Sequence, residues 1–124
     1  MRKAGLFLAA AAFAVMAGNA ASQAKPEDAI KYRQSVYQVL LWNWLPMGAM
    51  VKGEKPFDKD VFLKNAIVVD QMGRMALEGF TPGSDKGTTK AKPEIWSKMD
   101  DFKAKMNKMN EETAKLVAVA KTGN

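Results

Sequence analysis

Eight residues in the last third of the chain constrain the fold more than any others. Ile95, Met99, Phe102, Met106, Met109, Thr113, Leu116 and Ala120 follow one another at steps of 4, 3, 4, 3, 4, 3 and 4. With about 3.6 residues per helical turn, that alternation keeps every member on one face. A strand would need a period of two. The spacing therefore predicts a helix over about 93–121, opening at Pro93-Glu94 and stopping at Gly123, with a seam that other helices must cover.

Two earlier segments supply those partners. The first is predicted over 26–51. Pro26 suits the first helical turn, Glu27 and Asp28 favour the positive end of the helix dipole, and Pro46 is a candidate kink. After the short "KGEKP" connection a second helix is predicted over 58–79. Asp58 is its N-cap, Phe57 and Phe62 form a hydrophobic staple, and Phe62, Ala66, Val69, Gly73 and Ala76 form its apolar face. A long loop follows, "GFTPGSDKGTTKAKP", and loops of this length are often functional. Three long helices with apolar seams predict an all-α, antiparallel helical bundle.

The first 24 residues read as a secretory signal peptide, cleaved between 20 and 24. Arg2 and Lys3 form a basic start, Leu6–Ala17 is apolar, and "GNAASQA" offers small residues for cleavage. Twelve apolar residues fall short of the roughly 20 that a membrane anchor needs, so none is expected after cleavage. Residues 25–124 then form one helical-bundle domain, large enough for one modest core. The formal charge is +6, and losing Arg2 and Lys3 leaves +4. The remaining charges alternate in sign, as in "EKPFDKD", so no nucleic-acid face is expected.

The sequence has no cysteine and no histidine. That removes disulfides, the commonest general base and the commonest metal ligand. Asp100-Asp101 and Glu111-Glu112 point about 100° apart on a helix and share no site. Nothing predicts a catalytic residue, and no enzyme is expected. Nine methionines include the pairs Met47/Met50, Met72/Met75 and Met106/Met109. Thioethers suit Cu(I), but methionine more often fills core gaps.

One feature of the first helix conflicts with simple packing. Ile30, Tyr37 and Trp44 recur every seven residues, with Leu40 or Leu41 and Met47 at the half-way steps. The step between Ile30 and Tyr37 holds Arg33 and Gln34 instead of apolar residues. Arg33 either snorkels to the bundle edge, its stem covering apolar surface, or meets an anionic ligand between the helices.

The stretches "AKPEDAIKYRQSVYQVL", "PMGAMVKGEKPFD", "GFTPGSDKG", "KAKPEIWSKMDDFKAK" and "LVAVAKTGN" together resemble the cytochrome c′ family and its c556-type relatives. The resemblance implies an exported, usually homodimeric four-helix bundle carrying one haem c. It would be fixed by Cys-x-x-Cys-His in the fourth helix, with an electron-transfer partner protein or a small gas as ligand. It implies that Arg33 of the YRQ motif lies by the haem propionates with Gln34 beside it, that Tyr37 faces the iron, and that Phe80 and Phe102 are apolar pocket residues. The given sequence departs from the family at "KTGN", where the family turns into its last helix. The expectation is three helices present and the fourth missing, truncated before the haem motif. Without cysteine or histidine these residues allow neither covalent attachment nor histidine ligation. The rival readings are a haem-free periplasmic helical binding or scaffold protein and a methionine-based copper binder.

Overall fold

The computed structural model describes residues 24–124; the proposed leader lies outside the described residues. Among these, α1 spans Pro26–Val51, α2 spans Lys59–Ala76 and ends in a 3₁₀ turn over Leu77–Gly79, α3 is the single turn Glu94–Ser97, and α4 spans Met99–Ala120. No helix is long and apolar enough to cross a membrane among the described residues.

Local chemistry explains most of these limits. Pro26 begins α1 with acidic Glu27 and Asp28 in the first turn, and the helix runs through Pro46 without interruption. Asp58 caps α2, its carboxylate accepting from the backbone N–H groups of Asp60 and Val61 at 3.0 and 3.1 Å. A cap of this kind contributes about 1 kcal/mol. Phe57 and Phe62 meet with ring centroids 5.6 Å apart.

The segment expected as one helix over 93–121 is two helices, broken at Lys98 (φ −126°, ψ 47°). Trp96 and Phe102 explain the break. On one unbroken helix, residues six apart point about 120° away from each other. The break lets both rings pack on Phe80, with centroids 5.8 and 4.7 Å from it.

The core has two clusters, one at each end of the bundle. Met47, Ala66, Val69 and Ala120 form one, with Leu40, Phe62 and Leu116 against it. Val36, Ala76 and Met106 form the other, with Tyr37, Met72, Phe102 and Met109 against it. Residue order across the clusters rises along α1 and α4 and falls along α2. The central α2 is therefore antiparallel to both neighbours, and α1 and α4 run parallel. Most of the paired thioethers thus serve as packing groups. No cluster of three or more His, Cys, Asp or Glu residues is present among the described residues.

Every seam position of α4 is buried or half-buried. Thr113 does polar work there. Its hydroxyl donates to Asp70 Oδ1 at 2.7 Å, and Arg74 pairs with the same carboxylate at 3.2 Å. Burial pushes Asp70 up, but the hydrogen bonds from Thr113 and Arg74 and the Arg74 charge outweigh it and leave the pKa below the ordinary 3.8. A carboxyl lowered in the folded state stabilises above its unfolded pKa, and that contribution is lost as pH falls through the folded value. Asp70→Ala is predicted to cost about 1 kcal/mol at pH 7, since Arg74 is half exposed, and to shrink the stability difference between pH 7 and pH 3. Urea denaturation at the two pH values checks this; an unchanged difference would show that the triad carries none of it.

Candidate functional site: a buried cation at the edge of an aromatic cavity

The N-terminal half of α1 and the loop after α2 border an open cavity of about 590 Å³. Arg33, Gln34 and Tyr37 line it from α1, Phe80 from the end of α2, and Gly87–Ala91 from the loop. Four of the five residues singled out by sequence therefore share one cavity. Phe102 stands behind it, edge-on to Phe80 at 4.7 Å.

Arg33 is only 2% exposed. Nη1 donates to Gly79 O at 2.9 Å and Ser84 Oγ at 2.8 Å. Nη2 donates to Ser84 O at 2.8 Å and Thr89 Oγ1 at 3.0 Å. The guanidinium carbon lies 4.9 Å from the Phe80 ring centroid and 5.2 Å from that of Trp96. The side chain does not snorkel to the bundle edge; its head is buried. All four terminal hydrogens go to neutral oxygens, and no carboxylate pairs with the cation among the described residues. Burial lowers its pKa, opposed by Tyr37 and Asp85. From so high a starting value, arginine keeps its charge.

The other site residues sit around this cation. Gln34 Nε2 donates to Thr88 O at 3.1 Å, a second tie between α1 and the loop. Tyr37 meets Phe80 edge-on with centroids 6.5 Å apart. Burial raises the Tyr37 pKa, with Arg33 opposing, so the phenol stays protonated at neutral pH. Ser84 is fully buried and its hydroxyl donates to Thr81 O at 2.8 Å. Trp96 Nε1 donates to the same carbonyl at 2.9 Å. Thr89 Oγ1 also accepts from the Ala91 N–H at 3.1 Å.

Sequence reasoning missed Ser84, Thr89, Thr88 and Lys90. The only signals were the unusual length of their loop and its short polar residues, which often satisfy backbone groups. Trp96 belonged to the quoted PEIW but had received no role.

An all-α bundle with a buried cation beside an open cavity is the class of fold and site that the described residues define. Residues 28–124 match the family described as Cytochrome C'. Over 101 residues the chain is 41% identical to cytochrome c' of Rubrivivax gelatinosus, covering 81% of this chain and 78% of that one. Its fold is similar to cytochrome c prime from Shewanella frigidimarina, with a TM-score of 0.77 and 43% identity over 79% of this chain and 77% of that one. It is also similar to the nitrosyl complex of a variant of cytochrome c prime from Alcaligenes xylosoxidans, with a TM-score of 0.75 and 37% identity over 82% and 79%. The chain belongs to the cytochrome c′ family.

Gly79 shows how closely the site is built. A Cβ added there would lie 2.5 Å from Arg33 Cβ and 3.1 Å from Arg33 Cα and N, which are backbone-fixed positions on α1. Gly79→Ala is predicted to destabilise the chain by about 1–3 kcal/mol, the usual range for overpacking, and to loosen the loop more than the helices. Chemical denaturation together with amide exchange over 80–91 measures both; wild-type exchange rates in the loop would refute the close approach.

Proposed function

We propose that the chain is a haem-binding protein of the cytochrome c′ type, exported to the periplasm by its leader, in which α1 and the loop 79–91 form the wall facing the haem edge. The observation that carries this is the Arg33 guanidinium: a permanent cation, buried with no carboxylate pairing it among the described residues, at the corner of a cavity that Tyr37 and Phe80 also line. A planar apolar ring bearing carboxylates complements both properties.

The fit is partial, and the residues define its extent. Gln34 and the nearby Arg33 charge would suit the anionic edge, Phe80, backed by Phe102, would suit the apolar ring, and Tyr37 would line one side. The sequence holds no cysteine and no histidine, so these residues supply neither a thioether bond nor an imidazole ligand for haem c. Bound haem would supply a redox-active iron able to exchange an electron or take a small gas. The protonated Tyr37 hydroxyl would donate a hydrogen bond to a small ligand on that side. Phe80 and Phe102 would exclude water. The nitrosyl complex of the Alcaligenes protein supports a small gas as ligand, and a redox protein is the other partner class. Homodimerisation through α1 is supported by its exposed Trp42 and Leu45, 82% and 64% accessible. The role is binding or electron carriage and not catalysis.

A second reading is a haem-free helical binding or scaffold protein of the periplasm. The satisfaction of all four terminal Arg33 hydrogens by the chain's own oxygens supports it.

Titration of the full chain with ferric protoporphyrin IX separates the two. The haem reading predicts a saturable Soret shift, complete extraction of the pigment by acidic organic solvent, and a different Soret position in Tyr37→Phe. No saturable shift would leave the haem-free reading standing.

A further inference from the structure

The donor geometry of Arg33 limits what it can do for a ligand. A guanidinium has five N–H groups, and the four terminal ones are directed to loop oxygens at 2.8–3.0 Å. Releasing them to grip an anion would strand the Ser84 carbonyl and leave the Gly79 carbonyl only the Ser84 hydroxyl at 3.5 Å, while Ser84 Oγ and Thr89 Oγ1 would keep Thr81 O and the Ala91 N–H. These contacts span the loop from Gly79 to Thr89, with Ser84 bonded through both its side chain and its carbonyl. The loop, in turn, presents Lys90 to the same cavity. Lys90 is exposed and makes no ion pair among the described residues.

We infer that Arg33 is a positioning residue that clamps the loop 79–91 into a cavity wall, and that Lys90, carried by the clamped loop, is the cation that contacts a ligand carboxylate. Arg33 then acts on an anion through Lys90 and through its field, its four terminal N–H groups staying with the loop. The Lys90 half of this assignment rests on the haem reading above; the clamp does not.

The experiment uses the full chain and three variants: Arg33→Lys, Lys90→Gln and the double variant. Arg33→Lys keeps the charge but cannot make the forked contacts. It is expected to retain its helical circular dichroism while trypsin cleavage after Lys86 and Lys90 accelerates at least about tenfold, since cleavage follows local opening. Lys90→Gln is expected to leave cleavage after Lys86 unchanged. It should weaken ferric protoporphyrin IX binding about two- to fivefold, the range of a partly exposed ion pair. The protoporphyrin IX dimethyl ester complex should bind equally to both. In the Arg33→Lys background, Lys90→Gln should cost nothing further, because the released loop no longer places residue 90 at the ligand.

Unchanged loop cleavage in Arg33→Lys would overturn the clamp. Additive losses in the double variant would show two independent contacts and overturn the assignment of action through Lys90. If the wild-type chain binds no porphyrin, the Lys90 assignment falls with the haem reading, while the cleavage rates still decide the clamp.

Discussion

A guanidinium removed from water must be repaid in hydrogen bonds, and that requirement organises the site. Desolvating such an ion costs several kcal/mol even after the protein relaxes. Here the compensation comes from Gly79, Ser84 and Thr89, reached across 46, 51 and 56 residues of chain. Each partner imposes its own condition. Gly79 must lack a side chain for α1 to approach. Ser84 must be buried to receive two contacts. Phe80 and Trp96 must flank the cation, and the break at Lys98 allows Trp96 and Phe102 to reach the same aromatic ring. Neutral acceptors satisfy the hydrogens without cancelling the charge, so the cavity keeps a positive corner.

The bundle was legible because its signal is periodic and local. The 4-3 seam of α4 needed only the geometry of a helix, and it continues unbroken from Ile95 to Met99. That continuity hid the break at Lys98, whose cause is a contact with Phe80, a residue far away in sequence. Trp44 was expected inside the stripe of α1, yet it is 45% exposed. Periodicity gives the face of a residue and not whether anything lies opposite it. Pro46, a candidate kink, lies inside the continuous helix α1.

The site was half legible for the same reason. Arg33 and Gln34 stood out because they interrupt an apolar pattern, and the family resemblance brought Tyr37, Phe80 and Phe102. The residues that fix what Arg33 does are loop hydroxyls and carbonyls. Serine and threonine in a Gly/Pro-rich loop look the same whether they bind water or a buried cation. Only the fold shows that the charge is held by the loop.

The interruption in α1 marks the meeting of two faces. Arg33, Val36, Leu40, Met47 and Met50 turn toward α2. Tyr37, Leu41, Trp44, Gly48 and Val51, again at steps of 4, 3, 4 and 3, form an adjoining strip that begins beside Gln34 at the cavity. Leu41, Trp44 and Val51 on this strip are 50%, 45% and 75% exposed, and no residue from Val36 to Val51 carries a charge. Farther along, Trp44 and Val51 join Met47, Phe62 and Leu116 around a second, almost wholly apolar cavity of about 220 Å³. A helix with two apolar faces suits a position covered on both sides, whether by another helix or by a ligand. The strip ends on a cation at each side, Arg33 where the loop is tied down and Lys52 beside Val51 at the second cavity. The two ends differ in burial: the Arg33 cation is enclosed by loop acceptors and is costly as a packing element, whereas Lys52 is exposed to water.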